Sequence, residues 1–524
     1  MPSRYYAFAT AVAVFIGSLV LEFVFRAPWV TWPLIAISGF LSLVGFIDVT
    51  QTRQAIRRNY PILSHFRFFF EYIRPEIRQY FIESDNESSP FSRAARSLVY
   101  QRAKKESDKR PFGTQLDVYE PGYEWINHSV SPAAPSTPDF RLTIGETSKQ
   151  PYSASVFNVS AMSFGALSAN AIRALNQGAK MGGFAHDTGE GSISRYHREM
   201  GGDLIWELGS GYFGCRMADG KFDPVRFAEQ AQDPQVKMVE LKLSQGAKPG
   251  HGGVLPGPKV TPEIAEARGV PVGVDCVSPA KHSVFSNPVE LLEFIAKMRE
   301  LSGGKPAGMK LAIGHPWEFF AIAKAMVKTG LTPDFIVVDG SEGGTGAAPV
   351  EFTDHVGVPL REGLMLVHNT LVGIGVRDRV KLGASGKIVS AFDIAKTLAM
   401  GADWCNSARG FMFALGCIQA QSCHTGTCPT GVTTQDPLRQ RALVVPSKAE
   451  RVHEFHKSTL HALSELLAAA GLTHPDQLRP EHIIRRISST EVTSLATLYK
   501  FLKPGSLLQE ASGHQVFEYY WKRA

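Results

Sequence analysis

Phe335-Ile336-Val337-Val338-Asp339 is an apolar run of strand length that ends on a carboxylate and leads, three residues later, into Gly343-Gly344-Thr345-Gly346. Apolar side chains on successive positions describe a strand covered on both faces, as in a parallel sheet. Glycines just past its carboxyl end describe a loop that lies close to a ligand. The unit recurs. Strands are predicted at 155–160, 183–186, 236–244, 272–277, 307–313, 335–339, 380–384 and 402–407, with amphipathic helices at 169–181, 288–301, 317–329 and 391–400. Eight strands alternating with helices predict an α/β chain closed into a (β/α)8 TIM barrel in preference to an open sheet.

In such a barrel the loops after the strands build the active site, and those after the last two commonly hold a phosphate. Glycine marks these strand ends in Ala161-Met162-Ser163-Phe164-Gly165 and in Gly189-Glu190-Gly191. Ser385, Gly386 and Lys387 follow the seventh predicted strand. Ala408, Arg409 and Gly410 follow the eighth and precede a helix beginning near Phe411. Backbone amides and a helix N-terminus there can grip a dianion.

Half of the six cysteines, Cys417, Cys423 and Cys428, fall in one run with the spacing Cys-x5-Cys-x4-Cys. Thiols this close suit an iron–sulfur cluster, and a local trio implies either a cluster short of one iron or a fourth ligand elsewhere. A zinc site using His424, a redox disulfide and buried thiols are the other readings of the same spacing. Cys215, Cys276 and Cys405 are scattered singly, unlike the disulfide framework of a small secreted domain, which indicates a reducing compartment.

With 524 residues, 44% hydrophobic and 20% charged, the chain can bury a large core. Its formal charge of +6 does not point to nucleic acid, because much of the positive excess lies between Arg53 and Arg110, next to an apolar N-terminus. There, 5–21 and 29–46 carry no charge and are joined by a link holding Arg26 and Pro28. Each approaches the ~20 residues that cross a bilayer. Arg53, Arg57, Arg58, Arg67 and Arg74 follow the second stretch, against one Arg in the link, so both ends of the hairpin are expected on the cytoplasmic side. Tyr5, Tyr6, Trp29 and Trp32 suit the two membrane–water interfaces. The expected organisation is a transmembrane hairpin (1–50), a connector that packs on the main domain (51–150), the barrel with its cysteine run (151–440) and a helical extension (441–524). The expected location is the inner (plasma) membrane, multi-pass, with the main domain in the cytoplasm.

The cysteine run, Leu241-Lys242-Leu243-Ser244-Gln245-Gly246-Ala247-Lys248-Pro249-Gly250, and Glu342-Gly343-Gly344-Thr345-Gly346-Ala347-Ala348-Pro349 together resemble the synthase domain of glutamate synthase over about 155–437. The likeness is greatest to stand-alone, membrane-attached members of the FMN-binding glutamate synthase family. It implies an FMN barrel with a [3Fe-4S] cluster that reduces 2-iminoglutarate, formed from 2-oxoglutarate and ammonia, to glutamate. By resemblance, Cys417, Cys423 and Cys428 match the cluster ligands. Met162 and Ser163 match the loop beside the isoalloxazine, and Lys310 matches the lysine at its pyrimidine edge, where a cation stabilises charge on the reduced ring. Lys242, Gln245 and Lys248 match the loop facing the keto acid, where cations suit a dicarboxylate. Glu190 and His251 are further candidates, Glu190 with Lys310 as catalytic groups and His251 toward substrate.

The departures concern supply. The chain begins Met1-Pro2, without the N-terminal cysteine of a glutaminase domain, and the region after Pro437 is too short for the family's large C-terminal β domain. There is no Gly-x-Gly-x-x-Gly dinucleotide fingerprint between a strand and a helix, and His251 stands where the large enzymes have a glutamate. Electrons are therefore expected from an external donor, ferredoxin-like or membrane-linked. Two further readings stay open, an oxidoreductase acting on another keto acid, amine or quinone-linked substrate, and an electron-transfer subunit without turnover.

Overall fold

The computed structural model describes residues 2–86, 89–509 and 513–524. The chain forms two compact units, Met1–Arg93 and Ala94–Ala524.

In the first unit, Tyr6–Phe25 and Pro28–Thr50 are apolar helices of 20 and 23 residues. At 1.5 Å per residue each is roughly 30 Å long or more, and both are long and apolar enough to cross a membrane. They pack together through small residues, with the Phe15 ring seated over Gly39 and the Phe8 ring over Gly45. Thr31 donates its hydroxyl to Glu22, so the one carboxylate of the first helix is partnered by the second. A further helix, Ser64–Ile77, follows the pair.

The second unit is a closed parallel barrel of eight strands: β1 Phe157–Val159, β2 His186–Asp187, β3 Leu204–Leu208, β4 Val236–Lys242, β5 Ala307–Leu311, β6 Phe335–Asp339, β7 Lys381–Ser385 and β8 Trp404–Ser407. The expected barrel is present and two of its expected strands are corrected. The run at 272–277 is not a barrel strand: Val272 and Val274 are each 55% exposed, and only Cys276–Val277 is extended, paired antiparallel with Val254–Leu255. Its place is taken by Leu204-Ile205-Trp206-Glu207-Leu208, buried throughout. A glutamate inside an apolar run hides a strand when only hydrophobicity is read, yet Glu207 is tolerated here because buried lysines face it.

The stretch expected as a single strand at 155–160 divides in two. Tyr152–Ser155 pairs antiparallel with Arg141–Ile144, and β1 follows. The resulting hairpin closes one end of the barrel, because Ile144, Tyr152 and Ala154 join Ala185, Ile205, Met238, Phe335, Val337 and Trp404 in one apolar cluster. That leaves the carboxyl ends of the strands for polar groups.

Helix Ala169–Gly182 starts where Ser168 accepts from the Ala171 amide and stops at Gly183, whose φ of 63° suits a residue without Cβ. The 25-residue helix Val445–Ala469 packs on it, with Val452 against Gly178. The His456 ring stacks on Phe184 at 3.9 Å and hydrogen-bonds the Phe157 carbonyl at 3.0 Å. The C-terminal segment is thus part of the barrel's wall. It also holds strands, since Ile483–Arg486 pairs with both Glu124–Ile126 and Val492–Ser494.

Trp206, on the outer face of β3, is fully buried and stacks on Phe227 at 4.9 Å. Trp206→Ala is expected to cost roughly 3–5 kcal/mol in denaturant unfolding, whereas Val272→Ala should stay within about 0.5 kcal/mol. The reverse order would restore 272–277 to the core.

Candidate active site

Side chains two residues apart on a strand share a face, so Glu240 and Lys242 of β4 both point inward. The register sets Glu240 opposite Glu207 of β3 and Lys242 opposite Lys310 of β5. Three adjacent strands therefore bring two acids and two bases to one place, and they interlock. Glu207 receives the Lys310 ammonium at 2.7 Å on one oxygen and lies 3.7 Å from the Lys242 ammonium on the other. Lys242 reaches Glu190 at 3.0 Å and the Gln245 side-chain oxygen at 2.6 Å.

Lys242, Lys310, Glu207 and Glu240 are buried, and Glu190 and Gln245 are half-buried at the rim. Burial opposes the charge of Lys310, but Glu207 first, then Asp187, Asp339 and Glu240, hold its pKa well above the ordinary lysine value. Burial likewise opposes the charge of Glu190, and Lys242 overcomes it, bringing that carboxyl down to about 2. Both lysines are charged at neutral pH. Lys248 differs: burial lowers it, and it makes no ion pair among the described residues.

Beneath the lysines, carboxylate oxygens of Asp187, Glu207 and Glu240 all lie within 4.8 Å of one another. Neither oxygen of Glu240 finds a hydrogen-bond partner among the described residues. Burial first, and then Asp187, raise its pKa well above the carboxylate range. Asp187 is pushed up to about 7 by burial and by Glu207, although the Gly189 amide donates to it at 3.0 Å. None of Asp187, Glu207, Glu240 and Asp339 was among the site residues expected from the sequence. The available signal was a carboxylate inside an apolar strand, as in Trp206-Glu207-Leu208 and Val239-Glu240-Leu241.

The loops close over this core. A Cβ on Gly189 would stand 2.7 Å from the Ser163 amide, so the glycine lets Met162 and Ser163 lie directly against the Glu190 loop. A Cβ on Gly253 would stand 2.8 Å from Glu190 Oε1, which brings the 250–253 loop onto the same carboxylate. His251 in that loop is not brought to the cluster. It is exposed, with Nδ1 2.6 Å from the Gly252 carbonyl and its ring edge-on to Phe352.

At β7 and β8, Ser385 Oγ lies 3.4 Å from Ser160 Oγ, and helix Arg409–Leu415 begins after Ala408 with Gly410 in its first turn. Arg409 donates to the Glu342 carbonyl at 2.5 Å. Burial draws its pKa down to about 10, and Lys387 is lowered by burial and then by Arg409. Two partly desolvated cations beside first-turn amides and Gly386 form a donor set that a phosphate dianion would neutralise.

The same short helix ends at Gly416, φ 109°, and delivers Cys417, whose carbonyl accepts from Tyr100 Oη at 2.6 Å. All three clustered cysteines are free thiols. Burial raises Cys417 to about 11, and Cys423 and Cys428 add to the rise. Burial would also raise Cys428, but hydrogen bonds with Thr430 and Thr433 bring it to about 7. His424 is exposed. A Cβ on Gly346 would lie 3.5 Å from Cys423 Cβ, and one on Gly344 2.8 Å from Arg409, so the Gly343–Gly346 loop connects the two neighbourhoods.

Residues 128–473 match the model for the conserved region in glutamate synthase. The chain belongs to the glutamate synthase family. The glutamate synthase large subunit-like protein YerD of Bacillus subtilis is 39% identical over 493 residues, covering 86% of this chain and 93% of that protein. The archaeal-type glutamate synthase [NADPH] of Thermotoga neapolitana is 36% identical over 320 residues, 61% of this chain and 60% of its own length. The glutamate synthase [NADPH] large chain of Bacillus subtilis is 32% identical over 342 residues, only 21% of that protein. Against those two, the family resemblance covers the barrel and not the whole relative. Among solved structures, a flavocytochrome b2 mutant with pyruvate bound overlaps 79% of this chain and 85% of its own at a TM-score of 0.42 and 13% identity, too loose a likeness to argue from.

In this glutamate synthase family barrel Asp187 keeps its proton to about pH 7, against about 4 for an unfolded aspartate. Over that interval the folded state binds more protons, so the stability Asp187 contributes falls as pH rises from about 4 to about 7. The unfolding free energy of the wild type minus that of Asp187→Asn should therefore decline across this window and level off above it. A pH-independent difference in paired denaturant titrations would remove Asp187 as the buried proton holder.

Proposed function

We propose that this chain is an FMN- and iron–sulfur-dependent oxidoreductase that reduces 2-iminoglutarate, formed from 2-oxoglutarate and ammonia, to glutamate with electrons from an external donor. The observation that carries the reading is the ion-paired series Glu190–Lys242–Glu207–Lys310 at the carboxyl ends of the strands, with Lys248 beside it. Bound FMN would supply a hydride for the imine carbon.

The chain's own residues do the rest. Ser385, Gly386, Lys387, Ala408, Arg409 and Gly410 would hold the phosphate, and Met162 and Ser163 would line the ring. Lys310, fixed by Glu207 and charged at every physiological pH, would face the negative charge that a reduced ring gathers. Lys242 keeps its proton between Glu190 and Glu207 and is steadied by Gln245, which suits it to hydrogen-bond the reacting keto or imino group. Lys248, buried without an ion pair, is the cation best placed to gain from a substrate carboxylate. Cys417, Cys423 and Cys428 would hold a three-iron cluster one short helix beyond the phosphate loop, a position suited to electron entry.

We further propose that Tyr6–Phe25 and Pro28–Thr50 anchor the protein in the plasma membrane, with Arg53, Arg57 and Arg58 marking the cytoplasmic side. That pair of helices also favours a second reading, in which the same site serves a different, membrane-linked acceptor.

Anaerobic mixing of the reduced protein with 2-oxoglutarate and ammonium separates the two. Flavin reoxidation with glutamate formed is the expected result, and reoxidation only by a quinone would favour the second. Lys310→Gln is expected to slow the reaction by about 10²-fold or more, and Lys248→Gln to raise KM for 2-oxoglutarate by roughly tenfold. Cys423→Ser should abolish the paramagnetic signal of an oxidised three-iron cluster, and an unchanged spectrum would discard the ligand assignment.

A further inference from the structure

Helix Ser64–Ile77 has the sequence Ser-His-Phe-Arg-Phe-Phe-Phe-Glu-Tyr-Ile-Arg-Pro-Glu-Ile. At 3.6 residues per turn Phe66, Phe69, Phe70, Ile73 and Ile77 fall on one stripe. Its phenylalanines are largely uncovered, Phe66, Phe69 and Phe70 being 61%, 55% and 59% exposed, while Ile73 and Ile77 are half-buried. The chain winds on through Arg78–Ile82, where Phe81 and Ile82 are exposed as well. An apolar surface of this size on a water-facing helix is expected to have something to cover it.

Charge and attachment indicate what covers it. Arg67 and Arg74 stand seven residues apart at the edge of the stripe, and with Arg78 they border a shallow cavity of about 690 Å³ whose apolar wall is Phe70, Ile77 and Ile82. Between 53 and 82 there are six arginines, two glutamates and no other formal charge. Guanidinium groups pair well with phosphate oxygens and stay charged at an interface. The start of the helix is tied to the end of Pro28–Thr50. The buried Asp48 carboxylate accepts the Ile62 amide at 3.0 Å and hydrogen-bonds His65 Nε2 at 2.9 Å. The exposed stripe is thus held at the level where the second apolar helix ends.

We propose that 64–82 lies in the plane of the membrane surface, with its phenylalanines at the acyl boundary and Arg67, Arg74 and Arg78 on the phosphates of anionic phospholipids. The inference rests on the reading of the two preceding helices as a membrane anchor, and it assigns the segment after them to lipid. A second copy of the chain is the competing occupant. Continuity with the anchor and the excess of arginine favour lipid.

The test uses the full-length holoprotein in nanodiscs of phosphatidylcholine with and without phosphatidylglycerol. Nitroxide labels are placed singly by Phe40→Cys in the second anchor helix, Phe70→Cys on the stripe and Glu71→Cys beside it, with the unsubstituted protein as background. The label at 70 is expected to be accessible to oxygen and at least about threefold less accessible to a nickel chelate than the label at 71. Equal nickel access at 70 and 71, with position 40 protected, overturns the surface helix and leaves the anchor standing. Nickel access at position 40 overturns both. Dipolar broadening between labels at 70 from two copies assigns the stripe to a protein contact and overturns the proposal. Replacing Arg67, Arg74 and Arg78 together by Gln should reduce the protection at 70 in phosphatidylglycerol nanodiscs, and no change there would overturn the headgroup assignment.

Discussion

The Glu207 carboxylate holds the functional end of the barrel together. Parallel pairing of β4 with β5 places Lys242 directly beside Lys310. Two buried ammonium groups at that spacing would repel in a medium that screens poorly. Glu207, from the strand on the other side of β4, answers both, one with each oxygen. Glu207 offsets one of the two charges and Glu190, 3.0 Å from Lys242, supplies the second, while Glu240 and Asp187 below have their pKa values raised by burial. Removing one member of such a set leaves an uncompensated charge, which costs more than the pair itself contributes.

This arrangement divides the barrel along its axis. Ile144, Tyr152, Phe335 and Trp404 seal one end with apolar volume. The other end is built from charges that are buried, except for the half-buried Glu190 at its rim. The sealed end supplies stability and the charged end spends part of it, in keeping with an active site at the carboxyl ends of the strands. The loops complete the division through glycine. At Gly189 and Gly253 a side chain would strike Ser163 or Glu190, so close approach of backbone to site depends on its absence.

Most of the barrel was legible in the sequence because burial on both faces produces uninterrupted apolar runs, as in Phe335–Asp339, which stands at its expected limits. The reading failed where chemistry interrupts that pattern. Leu204–Leu208 was hidden by Glu207, and 272–277 was raised to a strand by valines that lie in an exposed loop. The site was legible in the same uneven way. Lys242, Lys310 and Glu190 could be singled out because their motifs are local. Their acid partners could not, because Asp187, Glu207 and Glu240 come from three different strands and acquire a meaning only when the register sets them side by side.

By itself the sequence determined the barrel, the two apolar helices, the clustered thiols and membership of the glutamate synthase family, all of which follow from patterns written within short windows. Tertiary structure decided which lysines are neutralised and by what, that Glu240 is buried without a hydrogen-bond partner among the described residues, that His251 stays out of the cluster, and that Asp48 ties an amphipathic helix to the end of an apolar one. Those outcomes depend on distance and on exclusion of water, and both are set by the packing of segments far apart along the chain.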